Sequence, residues 1–495
     1  MKLKLFLCLG ISIGSLCAVT FKDTGYSYDD VLLVPQFSSV ASRSHVSLRS
    51  KLTKNIELEV PFVSANMDSI TEADMAIALA QSGGIGIVHR FNNCDDQVSI
   101  IKKVKRFKNF VVNNPIVINE EATLKEAKKL LQEHNITGLL VVDNNKKLTG
   151  ILTQRDLYGK YEENLLIKCL MTPFNSLIVG TIETTIDEAK KTLEHHKIEK
   201  LPLIDNKRTI VGLITKKDIL NYKAFPKASV DKRGRFLVGA AIGTKSDALE
   251  RARLLIEAEV DVLVIDIAHG HSEQTIKILK QLKTEFPDVQ VIAGNVATAE
   301  GTRDLIKAGA DAIKVGVGPG SICTTRIVTG CGYPQLSALI ECAQVAEEYG
   351  VPICADGGIK TSGDIVKALG ARASTVMLGS LLAGTDESPG MTFVKNGKKY
   401  KVIRGMASFG ANLSRNENTS DKNNAEKYVP EGVEALVPYK GDVNSIIEQL
   451  VGGVKSGMSY CGVHNLKDFK GQGVFVPITS SGLRESKVHD VSELG

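Results

Sequence analysis

AIKVGVGPGSICTTR, at residues 312–326, joins an apolar run to a loop that contains three glycines within five residues and then Cys323. A continuous apolar run is typical of a parallel strand, because both faces of such a strand are buried. The glycines leave backbone amides and carbonyls bare, so the loop could cradle an anion or coordinate a cation. A cysteine there is within reach of a substrate, and a thiolate is a strong nucleophile. A buried cysteine beside a tight turn is the alternative.

Seven other stretches repeat this pattern of an apolar, β-rich run that ends in small or polar residues before a helical stretch. They span residues 61–68, 84–90, 235–243, 261–270, 290–298, 351–359 and 374–384, and residues 312–320 make the eighth. Eight buried strands that alternate with helices predict an α/β fold, a closed (β/α)8 TIM barrel. A doubly wound open sheet is the alternative, but no GxGxxG motif follows a first strand.

An internal repeat lies between the second and third predicted strands. The heptapeptide TLKEAKK that begins at Thr123 recurs as TIDEAKK at Thr185, and matching segments follow both copies at a constant offset. Each copy predicts a helix with a threonine N-cap and then two strands. Because the repeat falls between two strands of the barrel, we expect it to be an insertion into a loop.

The two copies resemble a tandem CBS pair, known as a Bateman domain. This resemblance predicts CBS modules at residues 112–171 and 172–225, inserted into a catalytic barrel formed by residues 23–111 and 226–495. It also implies that regulatory purine nucleotides bind there, at positions matched by Thr153, Asp156, Thr215 and Asp218. The alternative is that these threonine and aspartate side chains only cap helices.

The bulk composition indicates a soluble globular protein. Among 495 residues, 43% are hydrophobic and 24% are charged, and the net charge of +5 gives no strong field for nucleic acid. Nine cysteines without a CxxC pair argue against a disulfide framework and a zinc site, so we expect a reducing, cytoplasmic location. Residues 1–22 conflict with this, since Lys2 and Lys4 precede an apolar run that resembles a secretory signal. We leave this apolar extension unexplained.

Two further loops predict a phosphate site. Residues 355–359, ADGGI, end the seventh strand, and residues 377–380, MLGS, end the eighth, where such barrels bind phosphate through backbone N–H groups. Asp356 would accept hydrogen bonds from two ribose hydroxyls, and Asp266 at the end of the fourth strand would accept from a second ribose, that of a dinucleotide. His269 and His271 form an HxH pattern, but loop histidines without a third ligand are the favoured interpretation.

Several motifs together resemble the IMP dehydrogenase and GMP reductase family, from about Tyr26 to near the C-terminus. They are Ala65-Asn-Met-Asp68, GPGSICTTR at 318–326, ADGG at 355–358, Gly379-Ser380, Arg404-Gly-Met406 and VPYKG at 437–441. The resemblance implies that Cys323 bonds covalently to C2 of a purine nucleoside monophosphate and that the barrel forms a homotetramer, or an octamer through the CBS pair. Ile403 departs from the family pattern, in which an aromatic residue usually stands at this position.

The resemblance also implies roles for individual residues. The catalytic residues would be Cys323, Thr325 and Glu431. The substrate-binding residues would be Met67, Ser321, Asp356, Gly358, Gly379, Ser380 and Gly405. The cofactor-binding residues would be Asp266, Asn295 and Lys314. A monovalent cation, K⁺ in the dehydrogenases, would bind to the backbone carbonyls of Gly318, Gly320 and Cys323.

The choice between the two activities depends on residues 410–430, GANLSRNENTSDKNNAEKYVP. Dehydrogenases carry an Arg-Tyr pair in this flap, and its arginine activates water to hydrolyse the covalent intermediate. Glu417 and Asn418 stand at the matching positions, and Arg415 is followed by Asn416. Without a positioned base, water at neutral pH is a poor nucleophile. The sequence therefore favours GMP reductase, in which Thr325 and Glu431 would move a proton for the departing ammonia.

Other features keep alternatives open. GYPQLSA at 332–338 is similar to the reductases, whereas the CBS insert, GSLLAGTDESPG at 379–390 and GIGIVH at 84–89 are closer to bacterial dehydrogenases. Family analogy favours NADPH as the cofactor of a reductase, with NAD as the alternative for an IMP dehydrogenase. An inactive nucleotide-sensing scaffold is a third possibility, against which the intact Cys323, Thr325, Asp356 and Glu431 argue.

Overall fold

The computed structural model describes residues 22–107, 111–112, 115–134, 136–159, 161–217, 219, 225–417, 429–469 and 471–489, with only the backbone of residues 414–417. Eight parallel strands close into a barrel in which each strand pairs with the next and the eighth pairs with the first. The strands are β1 Phe62–Ser64, β2 Ile85–Val88, β3 Val238–Ile242, β4 Val262–Asp266, β5 Gln290–Val296, β6 Ala312–Val315, β7 Ile353–Asp356 and β8 Thr375–Leu378. Each lies within one of the eight predicted stretches, so the predicted TIM barrel is confirmed.

One helix follows each strand on the outside of the barrel. These helices are α1 Ala73–Gln81, α2 Cys94–Phe107, α3 Ala248–Glu257, α4 Glu273–Glu285, α5 Ala299–Lys307, α6 Gln335–Glu348, α7 Ser362–Gly370 and α8 Val443–Tyr460. Side-chain caps fix where several of them begin. Thr298 accepts from the Gly301 amide at α5, and Thr361 forms a capping box with Asp364 at α7.

Two apolar layers explain why the strands are apolar on both faces. Alternate residues of β4, such as Val262 and Val264, fill the inside of the barrel with Ile292 and Met377. The residues between them, such as Leu263, pack outward in a cluster shared with the helices. Because both faces are buried, the sequence reads as continuous apolar runs rather than as an alternating pattern.

The repeat forms two similar units between α2 and β3. The first contains strands Val117–Asn119, Gly138–Val142, Leu148–Thr153 and Thr172–Pro173 with helix Leu124–Glu133. The second contains helix Ile186–His196 and strands Lys200–Ile204 and Ile210–Thr215. The predicted N-caps are confirmed, since Thr123 and Thr185 form capping boxes with Glu126 and Glu188.

The four residues of the insert that were predicted to bind nucleotide differ in their structural positions. Thr153 and Asp156 bond to each other, with the Thr153 amide and Oγ1 2.7 and 2.8 Å from Asp156 Oδ2, at the start of the 3₁₀ helix Gln154–Leu157. This is the capping role that was the alternative. Thr215 ends its strand, and Asp218 lies outside the described residues.

A separate antiparallel sheet lies between β8 and α8. Its strands are Phe393–Lys395, Lys398–Arg404 and Glu434–Pro438, with helix Phe409–Glu417 between the last two. Ile403, which departs from the family pattern, is buried in the core in this sheet. The remaining strands are Val31–Leu33 paired with Phe475–Pro477 and Ser50–Lys51 paired with Glu57–Leu58. The shorter helices are Tyr28–Asp30, Arg43–His45, Ile167–Cys169, Phe174–Ser176, Thr325–Thr329, Leu466–Phe469 and Ser480–Glu485.

The apolar extension predicted at residues 1–22 lies outside the described residues except for Lys22. Among the helices that the structure describes, none combines the length and the apolar character that a membrane span requires.

Candidate active site

The three predicted catalytic side chains form a hydrogen-bonded line. The Cys323 thiol donates to Thr325 Oγ1 at 3.2 Å, and the Thr325 hydroxyl donates to Glu431 Oε2 at 2.8 Å. Cys323 is partly buried, whereas Cys342 and Cys354 are buried in the core, where burial raises the pKa of each thiol to about 12. The line gives a proton a route between the thiol and the carboxylate through one hydroxyl group.

Backbone pairing brings Glu431 to the cysteine loop. Residues 322–324 lie antiparallel to residues 431–433, with an isolated bridge between Cys323 and Gly432. The Thr324 amide donates to the Glu431 carbonyl at 2.9 Å, and the Val433 amide donates to the Ile322 carbonyl at 2.9 Å. The segment after residue 428 therefore holds the carboxylate against the loop that follows β6.

Two glycines of the cysteine loop are required by close approach. A Cβ on Gly316 would lie 2.0 Å from the Asp356 carbonyl oxygen, where the loops after β6 and β7 meet. Gly318 has φ +78°, and a Cβ there would lie 2.6 Å from Arg326 Cγ. Arg326 closes the loop from outside, since its Nη2 donates to the carbonyl oxygens of Val317 and Tyr333 at 3.3 and 2.5 Å. The glycine spacing thus lets the loop fold tightly beneath Cys323.

A cluster of charges lies beside this loop, at the carboxyl ends of the strands. Lys314 Nζ donates to Asp266 Oδ1 at 2.8 Å and to Asp356 Oδ2 at 2.6 Å. Asn295 Nδ2 donates to the same Asp356 oxygen at 2.9 Å and to the Gly316 carbonyl at 2.7 Å. Among the described residues none donates to Asp356 Oδ1. That oxygen remains available to a ligand.

Burial and charge act in opposite directions within the cluster. Burial alone would lower the pKa of Lys314, but the carboxylates of Asp266 and Asp356 outweigh it and raise the pKa above its usual value. Burial would likewise raise the pKa of Asp266, but the charges of Lys314 and Arg90 lower it. The lysine is therefore a fixed cation and Asp266 a fixed anion at neutral pH.

These groups line one cavity of about 330 Å³ at the carboxyl end of the barrel. Ten of the predicted site residues contribute to its wall. They are Met67, Asp266, Asn295, Lys314, Gly320, Cys323, Thr325, Asp356, Gly405 and Glu431. The cavity therefore unites the predicted catalytic residues with most of the predicted binding residues.

Five predicted residues lie outside the wall of the cavity, namely Gly318, Ser321, Gly358, Gly379 and Ser380. Gly379 follows β8, and a Cβ there would lie 3.5 Å from Met67 Sδ. Gly358 follows β7 and faces Pro319 of the cysteine loop. The Ser380 carbonyl accepts from Lys440 Nζ at 2.8 Å, and Ser321 is exposed. Their binding roles stay predictions.

Several residues of the wall had no role predicted from the sequence. Asn66, Arg90, Phe91, Met406 and Gly432 all line the cavity. Arg90 Nη2 donates to the backbone carbonyl of Asp266 at 3.2 Å. The available signal was its position, since Arg90 closes a predicted strand at the end of the barrel where function is expected.

The predicted cation and metal features are only partly described by the structure. The Gly320 carbonyl accepts from the Cys323 amide at 3.1 Å within the loop, and the predicted K⁺ contacts stay a prediction. His271 Nε2 lies 3.0 Å from Asp304 Oδ2. No group of three or more His, Cys, Asp or Glu side chains within the described ranges could hold a metal ion.

The residues of the cleft fit a nicotinamide dinucleotide. Asn295 Oδ1 is buried and accepts no hydrogen bond within the described part of the chain. A buried acceptor of this kind needs a donor, which the amide or hydroxyl groups of a dinucleotide could supply. Asp266 and Cys323 line the same cavity as Asn295.

A TIM barrel that brings a partly buried thiol, a hydrogen-bonded route from that thiol to a carboxylate, and two further carboxylates together at the carboxyl ends of its strands has the architecture of an enzyme. Residues 25–489 match the model of the IMP dehydrogenase / GMP reductase domain, and the chain belongs to this family of oxidoreductases in purine metabolism.

Relatives of both kinds are similar to this chain. Inosine-5'-monophosphate dehydrogenase of Nitrosopumilus maritimus (strain SCM1) is 50% identical, over 95% of this chain and 99% of the relative. GMP reductase of Leishmania major is 48% identical, over 95% of this chain and 98% of the relative. A crystal structure of a cysteine-to-alanine variant of GMP reductase from Trypanosoma brucei, in complex with guanosine 5'-monophosphate, superposes with a TM-score of 0.85. It is 46% identical, over 95% of this chain and 98% of that chain.

Proposed function

We propose that this protein is a GMP reductase, which converts GMP to IMP and ammonia with NADPH as the reductant. The observation that carries the proposal is the absence of an Arg-Tyr dipeptide from residues 410–430. Arg415 is followed by Asn416, and Tyr428 is preceded by Lys427. Of residues 414–417 only the backbone is described, and residues 418–428 lie outside the described part.

The hydrogen-bonded line from Cys323 through Thr325 to Glu431 supports a reaction in which ammonia leaves. Cys323 Sγ attacks C2 of GMP, so that a C2–S bond forms and the bond from C2 to the amino group breaks. The thiol proton passes through the Thr325 hydroxyl to Glu431, which returns it to the departing nitrogen. NADPH, when bound, supplies the hydride that C2 accepts in the next step. The C2–S bond then breaks, and the thiolate of Cys323 is restored.

The binding residues are assigned by the same proposal. Asp356 would accept from the ribose of the purine nucleotide, and the loops at Gly358 and at Gly379-Ser380 would hold its phosphate. Asp266 and Asn295 would hold the ribose and the amide of the nicotinamide nucleotide. Met67 and Gly405 line the same cavity and would contact the purine base.

IMP dehydrogenase is the second candidate. It is favoured by the 50% identity to the dehydrogenase of Nitrosopumilus maritimus. In that reaction Cys323 would bond to C2 of IMP, NAD would accept the hydride, and water would release XMP. The same cavity and the same thiol would serve both reactions, so the difference lies in whether water can be activated.

The wider organisation is proposed from the resemblance. It comprises the CBS pair at residues 112–171 and 172–225 as a site for regulatory purine nucleotides, a homotetramer or octamer, and a K⁺ site on the Cys323 loop. A cytoplasmic location is proposed because all seven cysteines of the described residues are free thiols, as expected in a reducing compartment.

One assay separates the two candidates. Absorbance of the reduced nicotinamide would be followed with GMP plus NADPH and, separately, with IMP plus NAD. A reductase consumes NADPH in the first mixture and leaves the second unchanged. Formation of NADH and XMP in the second mixture would refute the proposal in favour of the dehydrogenase. Nucleotide binding without turnover in either mixture would indicate the inactive scaffold.

A further inference from the structure

One buried ammonium group holds both carboxylates of the cleft. Lys314 Nζ contacts Asp266 Oδ1 at 2.8 Å and Asp356 Oδ2 at 2.6 Å. Lys314 is only 1% exposed, so solvent cannot replace either partner. It extends from β6, whereas Asp266 ends β4 and Asp356 ends β7. The lysine therefore joins the carboxylate proposed for one ribose to the carboxylate proposed for the other.

We propose that Lys314 is a positioning residue that couples the binding of the purine nucleotide to the binding of the dinucleotide. The inference rests on the proposed function, in which Asp356 binds the first ligand and Asp266 binds the second. A ribose hydroxyl that donates to Asp356 fixes that carboxylate and, through Nζ, also fixes Lys314 and Asp266. Asp266 is then already ordered, so the protein loses less conformational entropy when the second ligand binds.

Asn295 extends this coupling toward the thiol. Its amide nitrogen joins Asp356 Oδ2 to the Gly316 carbonyl, which begins the loop that carries Cys323. Hydrogen bonds arranged in a chain polarise and strengthen one another in a poorly solvated site. We therefore expect either ligand alone to order the cluster and the base of the loop together.

The coupling can be measured without turnover. NADP⁺ supplies no hydride, and all titrations use a Cys323→Ser background, the unmodified reference for the variants below, so that GMP cannot form the C2–S bond or release ammonia. Calorimetric titration of the full chain would give the dissociation constant of GMP with and without saturating NADP⁺, and the reverse, with NAD⁺ in a parallel series. We expect each ligand to tighten the other by the same factor, at least about fivefold, because coupling is reciprocal.

The Lys314→Met variant should bring this factor close to one. Lys105→Met is the matched control, since Lys105 is 4% exposed and also contacts two carboxylates, Asp231 at 3.2 Å and Asp261 at 2.6 Å. Asp261 precedes β4 at the end opposite Asp266. The control should lose stability and keep the coupling factor.

If Lys314→Met does not fold, Asp266→Asn provides the second variant. It keeps the contact between Lys314 and Asp356 but removes the charge on the dinucleotide side. We expect the affinity for GMP alone to stay near that of the unmodified protein, while the coupling factor falls toward one. A loss of GMP affinity with an unchanged coupling factor would contradict the inference.

The outcomes separate the inference from the function on which it rests. A coupling factor near one in the unmodified protein, or an unchanged factor in Lys314→Met, overturns the role of Lys314 and leaves the proposed reaction standing. If the unmodified protein binds neither GMP nor either dinucleotide, the proposed function fails first, and the inference fails with it.

Discussion

At the scale of single residues, the chemistry depends on how one thiol exchanges its proton. Cys323 donates to Thr325, and Thr325 donates to Glu431, so each group already has the orientation that proton transfer requires. A hydroxyl can relay a proton because it donates and accepts at once. Glu431 can thus act as a base when the thiol attacks and as an acid when nitrogen leaves.

The Cys323→Ser variant should lose turnover below detection, because a hydroxyl is a much weaker nucleophile than a thiolate at neutral pH. Steady-state rates and the mass of the intact protein after incubation with nucleotide would be measured. Cys331→Ser is the control, since Cys331 is an exposed cysteine that follows the helix Thr325–Thr329. Turnover that survives in Cys323→Ser would rule out covalent catalysis by this residue.

The Glu431→Gln variant should lower kcat by about 10²- to 10⁴-fold, which is the usual contribution of a general acid or base. The amide keeps the shape of the side chain but cannot take up the proton. Glu434→Gln is a matched control three residues along, where the carboxylate accepts from the Gly410 amide outside the cavity. Equal losses in the two variants would indicate a structural effect on the segment rather than proton transfer.

At the scale of elements, the strands and helix starts that depend on neighbouring residues in the chain were mostly predicted from the sequence. The eight strands are apolar on both faces. Thr123 and Thr185 are N-cap residues, each followed three residues later by the glutamate of its capping box. Asp356 was found because it ends a strand, and Cys323 because it lies in the glycine-rich loop after one. The contact between residues 322–324 and 431–433, and the position of Arg90 on the wall of the cavity, depend on chain segments that meet only in the closed barrel.

A second ion cluster at the base of the insert was also missed, for the same reason. Lys105 lies in the last turn of α2 before the insert, and Asp231 and Arg235 follow the insert. Asp261 directly precedes β4. Lys105 contacts both aspartates, and Asp231 also pairs with Arg235. These side chains hold together the two points where the chain leaves and re-enters the barrel.

This cluster predicts a pH dependence of stability. Burial raises the pKa of Asp261 from 3.8 to about 6, even though Lys105 opposes the shift. The folded state therefore binds this proton more tightly than the unfolded state does. The contribution of Asp261 to the free energy of unfolding is fully present below about pH 4 and is lost as the pH rises through about 6. The free energy of unfolding falls by up to about 3 kcal/mol over this range.

The thermal midpoint of the unmodified protein and of Asp261→Asn would be compared across this range. The difference between the two should change between about pH 4 and pH 6 and then level off, because the amide does not titrate. Carboxylates remote from this cluster contribute equally to both curves and cancel in the difference. A difference that stays constant with pH would contradict the assigned titration.

At the scale of the whole molecule, the barrel assembles a site from residues that are far apart in sequence. Met67 follows β1, Asp266 ends β4, Cys323 follows β6, and Glu431 lies beyond β8, yet all four line one cavity. The carboxyl ends of the strands meet at one face of the barrel, which explains why polar strand ends predicted the location of the site. The identity of the reaction was less accessible, because it depends on how the bound purine leaves the thiol.

The central claim is that hydride, and not water, resolves the bond between Cys323 and C2 of the purine. The most direct test is the mass of the purine product formed from GMP with NADPH that carries deuterium at the transferred position, in water enriched in heavy oxygen. The account predicts IMP with one deuterium at C2 and no heavy oxygen, together with release of ammonia. A product that is XMP with heavy oxygen at C2 would contradict it.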